Sequence, residues 1–274
     1  MKKQLLALVI TSSIISVNSY ANDKEIDMSS PTEAYTALGI GYGNEGLNLK
    51  AMYMLSEAGA SRKSGFIFEA NDVTDKEGGN PKFSGMGSSG PEFNKEISNT
   101  NYRFRYGSLN TLNGLGHMVD AVIKDHPFFG TTSVVQAGAV ATIPIGKNAY
   151  IWPVILFGGV LMEDNMADLT SNPGANLSSG GVHLASTIYS AKFYGRYKFN
   201  DSFWLLGSWT YTDELNGKSW NKDILDGGLQ LSPQQIELTL GYQITNKQNL
   251  RFNFLSYSDS GGSDRFWVEY NYAF

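Results

Sequence analysis

Most of the chain repeats one pattern, in which apolar or aromatic residues alternate one by one with polar residues. A period of two places the two classes of side chain on opposite faces of a β-strand. In one such segment, Tyr102, Phe104 and Tyr106 would point to one side. Arg103 and Arg105, which lie between them, would point to the other. Such a strand needs an apolar environment on one side and a polar environment on the other, and few folds provide both.

The alternating segments predict twelve strands. They are residues 34–43, 47–55, 65–71, 100–107, 115–123, 131–143, 149–161, 185–199, 202–212, 234–245, 250–258 and 264–274. Residues 115–123 are the least clear, because their sequence also fits a short helix. Without them eleven strands remain. A barrel whose two termini lie on the same side of a membrane needs an even number.

The N-terminal 21 residues have the three parts of a secretory signal peptide. Lys2 and Lys3 precede a short apolar run, and the small residues Ser19 and Ala21 follow it. The run is shorter than the roughly 20 apolar residues that a spanning helix requires. We therefore predict export with cleavage after Ala21. The expected divisions are a signal peptide at 1–21, a short periplasmic N-terminal segment at 22–33 and a β-barrel at 34–274.

No apolar run after residue 21 is long enough to cross a membrane as a helix. A membrane-spanning chain must then form a closed barrel, because lipid offers no partners for backbone N–H and C=O groups. The 30 Gly, 15 Tyr and 15 Phe residues suit many strands with aromatic rims. A soluble β-sandwich or lipocalin-like barrel would instead bury its apolar rows. The predicted fold class is all-β, a transmembrane antiparallel up-and-down β-barrel of about twelve strands, with ten as the alternative.

The last predicted strand ends on an aromatic residue. Phe266, Val268, Tyr270, Tyr272 and Phe274 alternate with mostly polar neighbours. This pattern resembles the C-terminal assembly signal of bacterial outer-membrane β-barrel proteins, a class that includes the porins. The resemblance implies an outer-membrane location, with lipid and lipopolysaccharide around the barrel. It also implies recognition of Phe266, Tyr270, Tyr272 and Phe274 by the barrel assembly machinery.

The connections between the predicted strands fall into a short set and a longer set. The short set is 56–64, 108–114, 144–148, 200–201 and 246–249. The longer connections are 72–99, 124–130, 162–184 and 213–233, and the tight turns at 44–46 and 258–263 lie on the same side as these. With Phe274 at the periplasmic end, the short set becomes periplasmic and the longer set extracellular, which is the asymmetry expected of outer-membrane barrels.

Charged residues on the polar faces are the candidate functional residues, since those faces would line the lumen of the barrel. There are eight basic and three acidic residues in this set: Lys50, Glu69, Arg103, Arg105, Lys192, Arg196, Lys198, Glu237, Arg251, Arg265 and Glu269. A basic excess inside a pore would favour anionic solutes. The same residues could instead form a salt-bridge network that fills a closed barrel, because twelve strands fall between the filled small barrels and the open porins.

These observations leave three hypotheses of function. The first is a porin-like channel for small solutes, in which the basic excess would favour anions. The second is a closed barrel that acts in structure or surface interaction through the loops at 72–99, 162–184 and 213–233. The third is a hydrolase at the rim of the barrel that uses His183 or His117. Ser186 is three residues after His183, so the two would point to opposite faces of a strand. We therefore expect no enzyme activity.

Composition excludes several other classes. The chain has no Cys, which rules out cysteine nucleophiles, Cys-ligated zinc and iron–sulfur clusters. A net charge of −5 gives no support for nucleic-acid binding. Acidic residues in the predicted loops lack the fixed spacing of a calcium loop and are expected to be solvated. They are Asp72, Asp75, Glu77, Glu163, Asp164, Asp168, Asp223 and Asp226. No metal or other cofactor is expected.

Overall fold

The structure is a computed structural model. It describes residues 27–30, 35–56, 60–74, 81–87, 90–96, 100–126, 130–163, 182–217, 234–258 and 264–274. The predicted signal peptide at 1–21 lies outside the described residues. Within these ranges no helix is long and apolar enough to span a bilayer.

The described chain is built from β-strands. They are β1 (Ala37–Gly43), β2 (Gly46–Met54), β3 (Arg62–Asn71), β4 (Pro81–Gly87), β5 (Gly90–Glu96), β6 (Asn101–Asn110), β7 (Leu115–His126), β8 (Gly130–Ala141), β9 (Ile143–Ile145), β10 (Ala149–Glu163), β11 (Val182–Lys198), β12 (Phe203–Gly217), β13 (Gln234–Thr245), β14 (Gln248–Tyr257) and β15 (Arg265–Ala273).

Antiparallel pairing closes these strands into a barrel. Each barrel strand pairs with its neighbours along the chain, β10 follows β8 in the sheet, and β10 also pairs with β11. The first and last strands complete the ring, with Ala37 opposite Ala273 and Gly43 opposite Trp267. Twelve strands form the closed barrel, which confirms the predicted fold class. The short β9 pairs with β10 beside the barrel wall, and β4 and β5 form a separate hairpin.

The outer face of the barrel is apolar along its whole circumference. Large side chains are strongly exposed on strands far apart in the ring, including Tyr42 at 69%, Phe157 at 54% and Phe266 at 60%. Rows of exposed aromatic and aliphatic side chains of this extent would be unstable in water. They match the apolar band that outer-membrane barrels present to lipid. The alternation in the sequence therefore assigned the outward faces correctly.

Inward-facing glycines make room for large side chains in the lumen. A Cβ atom at Gly241 would lie 2.0 Å from Cε2 of Trp204, whose indole lies against this glycine and is buried. A Cβ at Gly39 would lie 2.3 Å from Oδ1 of Asn271. Both positions exclude any larger residue unless the neighbouring side chain moves. The interior is thus packed by side chains at several levels of the barrel.

The structure resolves the uncertain segments and corrects several strand ends. Residues 115–123 are strand and belong to β7. The connection predicted at 144–148 is a tight hairpin between β9 and β10, with Gly146 at a φ of 72°. Pro144 fits in β9 because this strand pairs on one side only, so its missing N–H costs no hydrogen bond in the barrel wall.

The strands at the long-loop end extend further than predicted. β10 continues to residue 163, β11 begins at residue 182 and β12 continues to residue 217. All three ends lie inside segments predicted as loops. The added ends of β10 and β12 are Met-Glu and a largely polar segment that ends in Gly, so they lack an alternating apolar signal. The added end of β11 does alternate, in Val182, His183 and Leu184, and the prediction missed it. Pairing with a neighbouring strand satisfies the backbone there regardless of side-chain pattern. The β4–β5 hairpin lies in the segment predicted as a loop at 72–99. Pairing between its two strands likewise satisfies the backbone.

Depth in the bilayer gives a direct test of the outward face. Leu240 is 44% exposed near the middle of β13, and Ile244 is 43% exposed near its short-turn end. We expect Leu240→Arg to lower the free energy of unfolding by about 2–4 kcal/mol and Ile244→Arg by about 0–1 kcal/mol. Denaturant unfolding of the protein in phospholipid vesicles measures both. Equal effects of the two substitutions would contradict a membrane-facing strand.

Candidate functional site in the lumen

The residues predicted to line the lumen lie on the inner face of the barrel. They are Lys50, Glu69, Arg103, Arg105, Lys192, Arg196, Lys198, Glu237, Arg251, Arg265 and Glu269. Lys198 lies at the short-turn mouth, where its Nζ is 3.2 Å from Oδ1 of exposed Asp201. Most of the others are held in ion pairs, so the lumen carries organised pairs of opposite charge. Their role in solute passage stays a prediction.

One group of ion pairs follows the wall formed by β15, β2, β3 and β6. The Lys50 ammonium lies 3.0 Å from Oε2 of Glu269 and 3.2 Å from Oε1 of Glu69. Arg105 donates to Oε2 of Glu69 at 2.6 Å. Arg251 adds a longer contact of 3.8 Å to Glu269. Each carboxylate is shared between two cations, which keeps both acids paired if one cation is lost.

A second group crosses the interior. Arg103 holds Asp120 through two hydrogen bonds, from Nε at 2.9 Å and from Nη2 at 2.6 Å. Lys192 donates to the same carboxylate at 2.9 Å. Asp120 lies on β7 and Lys192 on β11, and β8 and β10 stand between them in the sheet. This ion pair therefore bridges strands that are not neighbours and narrows the space inside the barrel.

A third group lies at the long-loop end. Arg265 pairs with Asp72, and its Nε lies 2.9 Å from Oε2 of Glu45. Asn101 also donates to Asp72, at 3.1 Å. Asp72 is 1% exposed and has a φ of 60°, so the prediction that it is a solvated loop charge is wrong. The buried carboxylate is stabilised by its partners, which outweighs the cost of a left-handed backbone for a non-glycine residue.

For the other acidic residues of the predicted loops, the prediction of solvated side chains is not tested. Asp75, Glu77, Asp164, Asp168, Asp223 and Asp226 lie outside the described residues, and the side chain of Glu163 does as well.

Four acids that pair with predicted basic residues were missing from the predicted lumen set. They are Asp27, Glu45, Asp72 and Asp120, and Asp120 pairs with two of the basic residues. Asp120 could have been found, because a strand at 115–123 puts it on the polar face. The positions of Asp27 and Asp72 depend on segments outside the barrel strands, which carry no period. The basic excess in the lumen is smaller than the sequence suggested.

The opposite wall of the lumen is apolar. Trp152, Val154, Leu156 and Val160 of β10 point inward beside Ile188 of β11, and all are at most 6% exposed. The sequence did not predict this wall, since β10 is apolar on both faces and its alternation is hidden. The inward residues of β10 thus form an apolar sector, which meets charge where Lys192 of β11 is the register partner of Val154. The ion-paired residues of β15, β2, β3 and β6 form a charged sector.

A cavity of about 410 Å³ lies between these walls. Its lining includes Arg103, Arg105 and Arg251 from the charged sector and Trp152 and Val154 from the apolar sector. It also reaches Met28 and Ser29 near the short-turn end. The size is that of a binding cavity for a small molecule, and wide porins hold far more open space.

The histidines do not form a catalytic group in the described residues. His117 is exposed at the short-turn rim, with its ring centroid 5.8 Å from that of Tyr106. The backbone of His183 pairs with Met162 at the long-loop end. The side chains of His183 and His126 lie outside the described residues. The Oγ of Ser186 lies 3.1 Å from Oε1 of Glu214.

Comparison with solved structures identifies the fold. An outer-membrane channel from Pseudomonas putida F1 superposes with a TM-score of 0.50 at 13% identity, over 88% of this chain and 96% of that one. The NanC porin gives a TM-score of 0.48 at 8% identity, over 87% and 98%. KdgM, a porin solved in complex with oligogalacturonate, gives 0.43 at 6%, over 88% and 99%. No family model and no curated protein matches the sequence. The chain thus has the fold of bacterial outer-membrane β-barrels.

Removing the shared acid of the crossing group tests its role in stability. In Asp120→Asn two cations lose a partner that is 4% exposed. Breaking a buried ion pair from one side costs about 3–5 kcal/mol, and we expect a loss in this range or somewhat below it because Arg103 is partly exposed. Denaturant unfolding in vesicles measures the loss. The control Asp201→Asn removes an exposed partner of Lys198 and should change stability little; equal losses would mean that the crossing pair is not structural.

Proposed function

We propose that the protein is an outer-membrane channel for small solutes, with a modest preference for anions. The observation that carries the proposal is the cavity of about 410 Å³ inside a closed barrel, along a wall of charged side chains. Charged side chains are costly to bury away from water, and the cavity would let water reach these groups. A path for polar solutes gives those groups a use.

Export and assembly form the second part of the proposal. The signal peptide would be cleaved after Ala21, and the C-terminal aromatic residues would direct assembly of the barrel. Phe266, Tyr270 and Tyr272 are exposed on the outer face, which leaves them accessible to an assembly factor before lipid covers them. Phe274 donates its backbone N–H to the carbonyl of Thr36 at 3.0 Å, at the seam between the first and last strands.

The preference for anions follows from the partly exposed cations. Lys50, Arg103 and Arg105 keep 18–26% of their side chains exposed, while the acids that pair with them keep 4–12%. A solute in the cavity would therefore meet more positive than negative charge. The preference is modest because every one of these cations has an acidic partner within 4 Å.

A closed barrel is the second candidate, and one observation favours it. The ion pair between Lys192 and Asp120 bridges two walls, and the apolar sector fills part of the remaining space. If these groups leave no continuous path, the extracellular loops would carry the function. Ion conduction across a bilayer is expected of the channel and not of the closed barrel, so its measurement separates the two candidates.

Single-channel recording in planar bilayers tests the proposal. We expect discrete steps from purified wild-type protein and weak anion selectivity from the reversal potential in a KCl gradient. Arg105→Gln should shift the reversal potential toward cations, and Glu69→Gln toward anions. Arg105→Gln leaves Glu69 paired with Lys50, so the fold should be kept.

Lys147→Gln is the matched control, because it removes a charge from an exposed turn outside the lumen. It should leave selectivity unchanged. Folded wild-type protein without any conductance would overturn the channel and leave the closed barrel. Conductance steps with the same ion selectivity in wild type, Arg105→Gln and Glu69→Gln would overturn the role of the charged wall.

A further inference from the structure

Residues 27–30 lie inside the short-turn end of the barrel. They belong to the segment predicted as periplasmic at 22–33, and they precede the first strand. Met28 is 1% exposed and Ser29 is 4% exposed, so the segment is packed against the barrel. Arg196 and Arg251, on β11 and β14, both contact it. Outer-membrane barrels have their short turns in the periplasm, so the segment occupies the periplasmic mouth.

Two arginines of the lumen hold the segment through its acceptor atoms. The guanidinium of Arg196 donates from Nη1 to Oδ2 of Asp27 at 3.0 Å and to Oγ of Ser29 at 2.8 Å. Arg251 donates from Nη2 to the carbonyl oxygen of Met28 at 3.1 Å. The segment thus presents a carboxylate, a hydroxyl and a carbonyl oxygen to two cations.

Apolar packing places the segment at the same point. The side chain of Met28 belongs to a small buried cluster with Tyr35, Ala37 and Ala273, and Met52 packs against it. The hydroxyl of Tyr35 donates to the carbonyl oxygen of Met28 at 3.3 Å. Met28 therefore fills space between the first and last strands at the end of the lumen.

Arg196 is prepared to bind a carboxylate. Its guanidinium lies 5.0 Å from the centroid of the Tyr150 ring, which fixes its plane. Planar guanidinium groups prefer carboxylates because two donors match two oxygens. The Nε atoms of Arg196 and Arg251 are buried and have no hydrogen-bond partner, so both residues keep donors unused by the segment. An acceptor-rich ligand would fit this pair better than the segment does.

We infer that residues 27–30 are a displaceable stopper, and that Arg196 and Arg251 form a carboxylate-binding site which the stopper occupies. A solute carrying a carboxylate takes the place of Asp27 and opens the periplasmic mouth. The inference rests on the proposed channel function and adds the chemical class of the solute.

The contacts of the stopper are few enough to be exchanged. The side chain of Asp27 is 36% exposed, and only Met28 contributes apolar burial from the segment. Burial opposes ionisation of Asp27, but the hydrogen bond from Ser29 and the charges of Lys198 and Arg196 hold the pKa of its carboxyl below the usual value. Asp27 is therefore charged at neutral pH, so a solute carboxylate competes with a ligand of the same charge that is tethered beside Arg196 and must be present at high concentration or bind with additional contacts.

Single-channel conductance tests the stopper through changes to each partner in its contact with Arg196. Asp27→Ala combined with Ser29→Ala removes two acceptors, and Arg196→Gln removes their donor. We expect about a twofold larger single-channel conductance in each, because the mouth is no longer narrowed. Lys147→Gln should match wild type. Heat-dependent mobility in detergent gels shows whether each variant is folded, and both residues changed in the double alanine variant precede the first barrel strand.

Thiol labelling tests docking and displacement without relying on conduction. The chain has no Cys, so Met28→Cys introduces a single probe. We expect a water-soluble maleimide to label it at least about tenfold more slowly than the exposed control Lys147→Cys. Sodium citrate should speed labelling of Met28→Cys, while sodium chloride of equal ionic strength should have no such effect.

The outcomes separate the two proposals. Conducting wild-type protein whose conductance is unchanged by the Asp27 and Arg196 variants overturns the stopper and keeps the channel. Rapid labelling of Met28→Cys overturns docking, and labelling that citrate leaves unchanged overturns the carboxylate site. Absence of conductance in every folded variant overturns the channel, and the role of the stopper in solute passage falls with it.

Discussion

Closure of the hydrogen-bonded ring is the constraint on which the rest of the structure depends. Lipid offers no partner to a backbone N–H or C=O group, so a chain with an apolar exterior is stable there only if each strand has two neighbours. The pairing of β1 with β15 removes the last pair of open edges. Closure then forces every second side chain into a confined interior, where the polar residues must find partners among themselves.

The interior meets this demand unevenly. Ionised groups share carboxylates along one wall, as Lys50 and Arg105 share Glu69, and one bridge from Lys192 to Asp120 spans non-adjacent strands. The other wall needs no such partners because its residues, such as Leu156 and Ile188, are aliphatic. The stability of the lumen and its electrostatic field therefore come from the same side chains.

The sequence predicted the parts of this molecule that repeat with a period of two. The outward faces and the predicted inward residues, such as Lys50 and Glu269, follow from that period, since it is imposed by lipid outside and polar groups inside. The twelfth strand, at 115–123, followed from the even number of strands that such a barrel needs. The prediction failed where a strand is apolar on both faces and where a residue lies outside the strands. The inward face of β10 is as apolar as its outward face, so Leu156 gave no signal. Asp27 and Asp72 lie outside the regular strands, and their partners come from distant residues, Arg196 and Arg265.

The separation of an ionised wall from an aliphatic wall has a geometric consequence. In the proposed channel, water and ions would favour the side of Arg103 and Arg105, whose ionised groups solvate them, over the surface around Leu156 and Val160. The hydrated route would then be eccentric, with a crescent-shaped cross-section against the charged side of the barrel. A flat molecule with one hydrophilic edge would fit that crescent better than a spherical molecule of equal volume, so the outline of a solute as well as its charge would govern its passage.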